Sequence, residues 1–164
     1  MSSLQVDSIS SMGGGHVDGA GRVLQVVQEE LTGEYLTTAG SYQDTGLSGT
    51  ITPSSSSSKI LISINPQAYG EIIGNYFFMM DARITRNGSL LKEFERCLMS
   101  AGGTTSANLL GLGGQIYMEY LDNPLSTSAL TYELQIAAKG DSGNVRLNKD
   151  NEGVSLIKLM EIAQ

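Results

Sequence analysis

Apolar and polar residues alternate through much of this chain, and the alternation is clearest in its C-terminal third. Between Leu130 and Ala138 the apolar side chains take every second position, with Thr131, Glu133 and Gln135 between them. Successive side chains of a β-strand point to opposite faces, so this segment is predicted to be a half-buried strand with one wet face. The Asp-Asn-Pro triplet upstream cannot continue a ladder, because proline has no N–H donor and restricts the residue before it.

Comparable segments recur along the chain and are separated by turn residues. Pro53 and Pro66 end two of them, and no segment carries a long apolar stripe at helical spacing. The turns recur at intervals of about 8–12 residues, which is typical of an antiparallel sandwich or barrel. The chain is therefore predicted to be all-β with about eight to ten strands. The best patterned segments are 23–28, 47–52, 59–65, 75–86, 89–98, 115–121, 130–139, 145–148 and 154–162.

Three turns and one strand carry more specific expectations. Asn87-Gly88 predicts a two-residue hairpin turn, since both central positions of such a turn need positive φ. Gly140–Asn144 predicts a second hairpin, and the serine run Ser54–Ser58 predicts an exposed turn, with a modification site as the alternative. In Val154–Ile162 the apolar residues change parity, so either both faces are buried or a bulge intervenes.

The N-terminal residues differ from the rest of the chain. Leu4, Val6 and Ile9 are the apolar residues of a short arm, and glycine occupies five positions between 13 and 21. Ordering so many glycines costs backbone entropy and buries little apolar surface. The sequence therefore predicts a short extended arm with a glycine-rich connector over residues 1–21, followed by one β-sandwich domain over residues 22–164.

Composition narrows the classes of function. The 164 residues suit one domain with a substantial core, and 20 glycines with 16% charged residues favour a β protein over a helical one. The net charge of −7 and the scattered basic residues argue against nucleic-acid binding, which needs clustered Lys and Arg. Neither a secretory leader nor an apolar run near the ~20 residues of a membrane helix is visible, so no membrane insertion is expected.

The chain is poor in residues that carry chemistry. A catalytic triad would have to use His16, the single histidine, which lies among glycines. Cys97 is the single cysteine and is expected to be a small buried apolar residue, and zinc would need more soft ligands. Gly13–Gly15 lacks the Lys-Ser/Thr of a phosphate loop. We therefore expect no enzymatic activity, no metal and no cofactor.

Pairs of nearby carboxylates remain as candidates for acid–base chemistry or calcium binding. Glycosidases use two carboxylates that lie about 5–9.5 Å apart, and acidic loops can bind calcium. The sequence does not bring any pair into a cleft, so solvated surface is the expectation for all of them. The pairs are Glu29/Glu30, Glu93/Glu95 and Asp150/Glu152.

Four segments in a fixed order resemble a known family. Over roughly residues 21–164 the chain is similar to the C-terminal domain of fibre and virion structural proteins of bacteriophages, common in marine phages and cyanophages. The opening SLQVDSI from Ser3 is also similar to the first residues of such fibres. The four segments are GRVLQVVQ from Gly21, DTGLSGTITPSSSSSKILI from Asp44, LDNP from Leu121 with SALTYELQ from Ser128, and LIKLMEI from Leu156.

The resemblance implies a jelly roll that assembles as a homotrimer around attachment points of the virion, which is put together in the host cytoplasm. Such fibres place a long shaft before this domain, whereas only about 20 residues precede it here. We expect a virion structural protein, a trimeric tail fibre or fibre-tip module docked to other virion proteins through Leu4, Val6 and Ile9. The alternative is a capsid decoration protein on the head exterior, and the further alternative is a carbohydrate-binding or carbohydrate-processing domain.

The sequence also predicts two sets of contact residues. The strands offer more apolar side chains than one sandwich face needs, and the excess is expected at a trimer interface formed by Tyr76, Phe78, Met160 and Ile162. The two loops Thr38–Asp44 and Ala101–Asn108 are rich in Gly, Ser and Thr, lack a strand pattern and join well-patterned strands. They are either connectors only or contacts to a host surface glycan or protein, made through Thr38, Tyr42, Thr104 and Asn108.

Overall fold

The computed structural model describes residues 21–73, 77–101, 109–140 and 143–164. These residues form strands joined by turns and short loops, with one 3₁₀ turn at Lys149–Asn151, so the predicted all-β class is confirmed. The twelve strands of the described residues are β1 (Val23–Leu31), β2 (Tyr35–Thr37), β3 (Gln43–Ile51), β4 (Lys59–Asn65), β5 (Gln67–Ile73), β6 (Phe77–Arg86), β7 (Ser89–Ala101), β8 (Leu109–Gln115), β9 (Met118–Asp122), β10 (Leu130–Gly140), β11 (Asn144–Leu147) and β12 (Ser155–Ile162).

The strands form three four-stranded sheets. The front sheet has the strand order β1–β12–β4–β9, the back sheet β3–β10–β6–β7, and the side sheet β2–β11–β5–β8. All pairings are antiparallel. Each strand of the side sheet is the neighbour in sequence of one front strand, because β1 leads to β2, β4 to β5, β8 to β9 and β11 to β12. The side sheet is therefore a lengthwise extension of the front sheet.

The strands of the front and back sheets follow a jelly-roll path. In chain order β1, β3, β4 and β6 lie in the front, back, front and back sheets. β6 and β7 form a hairpin, and β7, β9, β10 and β12 then lie in the back, front, back and front sheets. This path interleaves two Greek keys. It also places β1, the first strand, beside β12, the last one. The observed architecture is thus the predicted antiparallel jelly-roll sandwich.

One long ribbon joins the front sheet to the side sheet. β4 pairs with β9 and β5 with β8 in a single continued register, from Ile60 to Ile73 on the first pair of strands. Pro66 lies in the middle and has no N–H to donate, but its carbonyl accepts a hydrogen bond from Ile116 N at 3.0 Å. Pro66 ends β4 as expected, whereas the sequence pattern gives no indication that β5 follows directly.

The core lies between the sheets and follows the predicted alternation. Leu134 of β10 is fully buried, whereas Gln135 is half-exposed on the wet face. The front and back sheets approach closely at Gly49, where a Cβ would lie 3.2 Å from Leu159 of the facing strand. The buried apolar cluster comprises Leu47, Ile51, Ile60, Ile62, Ile64, Ala68, Phe78, Met80, Ala82, Ile84, Met118, Leu130, Tyr132, Leu134, Ile136, Val145, Leu147, Ile157 and Leu159.

The two predicted hairpin turns have different outcomes. Asn87 and Gly88 have φ angles of 49° and 77° and join the paired strands β6 and β7, so the first hairpin is confirmed. The second prediction, at Gly140–Asn144, is wrong. β10 pairs with β3 and β6 of the back sheet, whereas β11 pairs with β2 and β5 of the side sheet. The chain therefore crosses between sheets at this point.

β12 corrects the expectation for the last strand. Ser155, Ile157, Leu159 and Glu161 point inward, and the residues between them are half-exposed on the outer face. The strand is not buried on both faces, and the bulge in its pairing with β1 lies in β1 rather than in β12. Apolar residues lie on both faces, with Ile157 and Leu159 inward and Leu156, Met160 and Ile162 outward, while the charged Glu161 occupies an inward position.

Candidate assembly surface on the front sheet

The outer face of the front sheet carries an apolar row that crosses all four strands. Register places Val26 of β1 opposite Met160, Met160 opposite Leu61, and Leu61 opposite Leu121 of β9. Val26 is 54% exposed and Leu121 is 49% exposed, and the two central side chains are half-buried. Strands in a sheet lie about 4.8 Å apart, so the row extends over roughly 14 Å. We call these four residues the front row.

The surroundings of the front row are balanced in charge. The charged residues at outward positions of the four strands are Glu30 and Glu119 on the outer strands and Lys59 and Lys158 on the inner ones. The whole chain has a net charge of −7. Like-charged molecules repel, so this face is one on which two copies of an acidic chain can meet without adding to that repulsion.

The outer face of the back sheet is polar by comparison. Register places Glu93, Arg83, Gln135 and Asp44 side by side across its four strands. Arg83 Nε donates to Gln135 Oε1 at 2.6 Å, and Gln135 Nε2 donates to Asp44. Charged and hydrogen-bonded side chains are costly to remove from water. The two faces of the sandwich therefore differ, and the front sheet is the one suited to a dry contact.

Two of the four residues predicted for a trimer interface lie on this face. Met160 belongs to the front row, and Ile162 lies next to it on the same outward side of β12. Phe78 is a correction, because it is 1% exposed in the single chain and packs within its core. A side chain with no exposed surface cannot contact a second copy. Tyr76 lies outside the described residues, as do Leu4, Val6 and Ile9 of the predicted docking arm.

The predicted host-contact residues are only partly described. Thr38 is exposed and Tyr42 is half-buried, in the segment between β2 and β3. The guanidinium carbon of Arg83 lies 4.4 Å from the Tyr42 ring centroid, and Lys139 Nζ lies 5.6 Å from it. Burial raises the pKa of Tyr42, with a further contribution from nearby Glu93. This tyrosine is thus packed between cations. Thr104 and Asn108 lie outside the described residues.

The structure holds buried charges that the sequence pattern did not reveal. Glu161 is 0% exposed and accepts hydrogen bonds from Ser54 N at 2.8 Å, Ser54 Oγ at 2.7 Å and Gln25 Nε2 at 2.7 Å. Burial raises the pKa of Glu161, but hydrogen bonds from Ser54, Ser58 and Gln25 outweigh it and lower the pKa to about 2. The serine run is therefore more than an exposed turn, because Ser58 is itself 1% exposed.

Reactive groups are few in the part of the chain that the structure covers. No cluster of three or more His, Cys, Asp or Glu side chains suited to a metal ion occurs within the described ranges. Cys97 is half-buried, and burial raises the pKa of its thiol to about 11, so it stays protonated near neutral pH. Within the same ranges there is no helix long and apolar enough to span a membrane. His16 lies outside them.

Comparisons with known proteins return distant structural likenesses. No family model matches the chain, and no curated protein matches it. It is similar to a chain of the infectious bursal disease virus VP2 subviral particle, with a TM-score of 0.44, 12% identity, 97% of this chain covered and 42% of that chain. The structure of the Gt strain of the same virus is similar with a TM-score of 0.39 and 11% identity, over 98% of this chain and 43% of that chain.

A further likeness is to a bacterial protein. Dimeric latent PorU from Porphyromonas gingivalis matches with a TM-score of 0.39 and 13% identity, over 88% of this chain and 14% of that chain. The chain thus spans less than half the length of the structures described here.

Proposed function

We propose that this chain is a non-enzymatic structural protein of a bacteriophage virion and that it assembles as a homotrimer. Three observations support the proposal: the ordered segments that resemble phage fibre domains, the jelly-roll strand order, and the front row. The front row is the main support for the proposal. An apolar row that crosses a whole sheet beside charges of both signs has the character of an interface core with a polar rim.

In the leading form the protein is a tail fibre or fibre-tip module. The arm with Leu4, Val6 and Ile9 docks on another virion protein, and loops of the body meet a host surface glycan or protein. The trimer contact is made by the front row together with Ile162 of β12. An obligate interface of this kind buries on the order of 2,000 Å² or more.

Light scattering on the purified chain tests the assembly. The expected particle has three times the 17.4 kDa mass of the chain at micromolar concentration. Replacing exposed Val26 and Leu121 by lysine places charges in the front row and should shift the particle towards the monomer. The matched control is Leu125→Lys, because Leu125 is 71% exposed and lies outside the front sheet. A stable monomer of the unchanged chain would contradict the proposal.

A capsid decoration protein is the second candidate, since it would use the same fold with a different docking site for the arm. Phage lacking the protein separates the two roles. A missing fibre lowers adsorption to host cells and leaves capsids intact, whereas a missing decoration protein makes capsids leak when they are heated or diluted into low salt. A chain without residues 1–20 should keep its melting temperature within a few degrees and lose attachment to the particle in either role.

A further inference from the structure

The side sheet ends at an edge strand that carries no charge. β8 is the last strand in the order β2–β11–β5–β8, so one side of its backbone has no partner strand among the described residues. Its seven residues, LLGLGGQ, include no charged side chain and no proline. It pairs with β5 in an unbroken register. An edge strand of this kind is a template for pairing with a further strand.

The other edge strands of the described residues are protected. β2 has only three residues. β7 is interrupted by a bulge around Arg96, which has a φ of 55° and whose N–H donates to Asp81 Oδ1 at 2.8 Å. Short length, bulges and exposed charges all discourage the addition of a strand. Exposed charges lie on the remaining three edges, namely Glu29 and Glu30 on β1, Asp44 on β3 and Glu119 on β9.

The backbone groups of β8 face β5 and the open edge in turn. Ile116 N donates to Pro66 O at 3.0 Å, so the N–H of residue 116 points towards the partner strand. In an antiparallel ladder this direction repeats at every second residue, and the register continues unbroken from this pair into β8. The N–H and C=O groups that face the open edge therefore belong to Leu109, Gly111, Gly113 and Gln115.

Glycine leaves this edge accessible to a second backbone. The Tyr69 ring lies over Gly111 and Gly113, where a Cβ would come within 1.9 Å of its hydroxyl oxygen and 2.6 Å of its Cδ2, respectively. A Cβ at Gly114 would meet nothing within 4 Å. A second strand can therefore approach β8 without steric obstruction from these three positions.

The occupant that fits this edge is a second copy of the chain. A net charge of −7 opposes contact between copies, but the sequence has no charged residue from Cys97 to Met118. Beside β5 the charge of Lys149 is compensated by Glu71, with Nζ and Oε1 3.3 Å apart. Two copies can thus meet at β8 without bringing like charges together.

We propose that two copies of this chain pair through β8, antiparallel and across a two-fold axis at Leu112. This axis places Leu109 opposite the partner's Gln115 and Gly111 opposite the partner's Gly113, so the edge-facing groups of both strands can hydrogen bond. Leu112 meets the partner's Leu112 in a pair without hydrogen bonds. The two four-stranded side sheets then form one continuous sheet. The contact is isologous, so it occupies both open edges and ends at the pair.

A single contact of this kind is weak. Two strands of seven residues form a smaller contact than the roughly 1,200 Å² at which specific stable interfaces begin. In a homotrimer, which rests on the proposed function, several such edges act together and can join one trimer to others. Pairing of two chains does not require the trimer, because β8 and the front row belong to different sheets.

Disulfide trapping tests the register. In Leu112→Cys the two thiols would meet in a pair without hydrogen bonds, whose Cα atoms lie about 4.5 Å apart, within the range for a disulfide. Leu112 is 40% exposed, so the variant should fold as the unchanged chain does. On mild oxidation at millimolar concentration we expect a covalent dimer on non-reducing gels. It should form at least tenfold faster than in Leu125→Cys, the matched control, where the thiol is exposed but lies outside the side sheet.

Sedimentation equilibrium from micromolar to millimolar concentration tests the edge itself. The mass of the unchanged chain should rise with concentration. Gly114→Lys adds a charge where there is open space, and Gln115→Pro removes an N–H that faces the open edge. Both variants should keep the melting temperature and the micromolar mass of the unchanged chain and lose the rise. Leu125→Lys adds the same charge elsewhere and should behave as the unchanged chain.

Three results would overturn the proposal. The first is a constant mass up to millimolar concentration, which would leave the open edge to a segment of another protein. The second is an equal rise in mass in the unchanged chain and in both edge variants. The third is a Leu112→Cys disulfide that forms no faster than the one in Leu125→Cys. If the unchanged chain is a monomer at micromolar concentration, the proposed homotrimer fails, but a rise to a dimer that both edge variants abolish still supports pairing through β8.

Discussion

Tyr132 of the back sheet donates its hydroxyl to Asp122 Oδ2 of the front sheet at 2.7 Å, inside the core. The same carboxylate oxygen accepts a second hydrogen bond from Arg86 Nη1, also at 2.7 Å. Burial and the hydrogen bond to Asp122 both raise the pKa of Tyr132, so the phenol stays neutral and serves as a donor. The bond to Asp122 also raises the pKa of Arg86. One buried carboxylate thus joins the two sheets of the sandwich.

Removing the Tyr132 hydroxyl tests this connection. We expect Tyr132→Phe to lower the free energy of unfolding by about 1–3 kcal/mol, because Asp122 would keep only one of its two partners in the core. Urea denaturation at neutral pH measures the change. Tyr117→Phe removes a hydroxyl from a 63% exposed ring and should change stability by less than about 0.5 kcal/mol. Equal effects of the two substitutions would show that the buried hydrogen bond adds no more to the free energy of unfolding than an exposed one.

The alternation in β10 gives a second prediction. Leu134 is fully buried, so Leu134→Asp would place a carboxylate in the core and should cost several kcal/mol, enough to unfold much of the protein. Gln135→Asp should cost far less, because position 135 lies on the wet face beside the Arg83 guanidinium, where water and that cation offset the repulsion from Asp44 opposite. Circular dichroism melts of both variants provide the measurement. Similar losses at the two positions would mean that the register of β10 differs from the one described.

The sequence predicted those parts of the fold that depend on apolar alternation. The apolar parity of β4, β6 and β10 placed Ile62, Met80 and Leu134 in the core, where they are found. It could not assign strands to sheets, since a turn at Gly140–Asn144 looks the same whether the next strand pairs with its predecessor or crosses over. The side sheet and the jelly-roll pairing follow from contacts between residues far apart in the chain, which local patterns do not contain.

The candidate surfaces were only partly predictable for a related reason. Met160 and Ile162 were expected at an interface from their apolar character, but so was Phe78, and the sequence does not separate an apolar residue of the core from one of the surface. Tyr69 of β5 lies over Gly111 and Gly113 of β8 only because strand pairing brings these glycines beside it. The inward position of Glu161 was not visible in the sequence, because β12 carries apolar residues on both of its faces.

Glu161 makes stability depend on pH in a defined direction. Its pKa of about 2 in the folded chain is below the value of about 4.3 for an unperturbed glutamate. A depressed folded pKa contributes stability that is complete above the unfolded pKa and is lost as pH falls towards the folded one. We expect the unchanged chain to lose stability between about pH 4.3 and pH 2 through this group.

Glu161→Gln removes the titration and therefore checks the assignment. The variant should melt below the unchanged chain at pH 7, and the difference between them should shrink as the pH is lowered to 2.5. Thermal melts at several pH values give the comparison. Glu29→Gln alters an exposed carboxylate on β1 and serves as the control, with a melting temperature close to that of the unchanged chain at every pH. A constant gap between Glu161→Gln and the unchanged chain would contradict the prediction.

Phe78 and Gly70 give the last prediction, on how the side sheet packs against the back sheet. A Cβ at Gly70 of β5 would lie 2.0 Å from Cε2 of the Phe78 ring, far inside van der Waals contact. Gly70→Ala should therefore destabilise the chain by about 1–3 kcal/mol, the usual cost of overpacking a core. Phe78→Leu should also destabilise it, since it leaves a cavity.

The double variant should be more stable than the sum of the two losses predicts, because the smaller side chain makes room for the methyl group. Urea denaturation of the four proteins in this cycle measures the coupling. Strict additivity would mean that the ring does not lie over Gly70, and the case for removing Phe78 from the trimer interface would lose its structural basis.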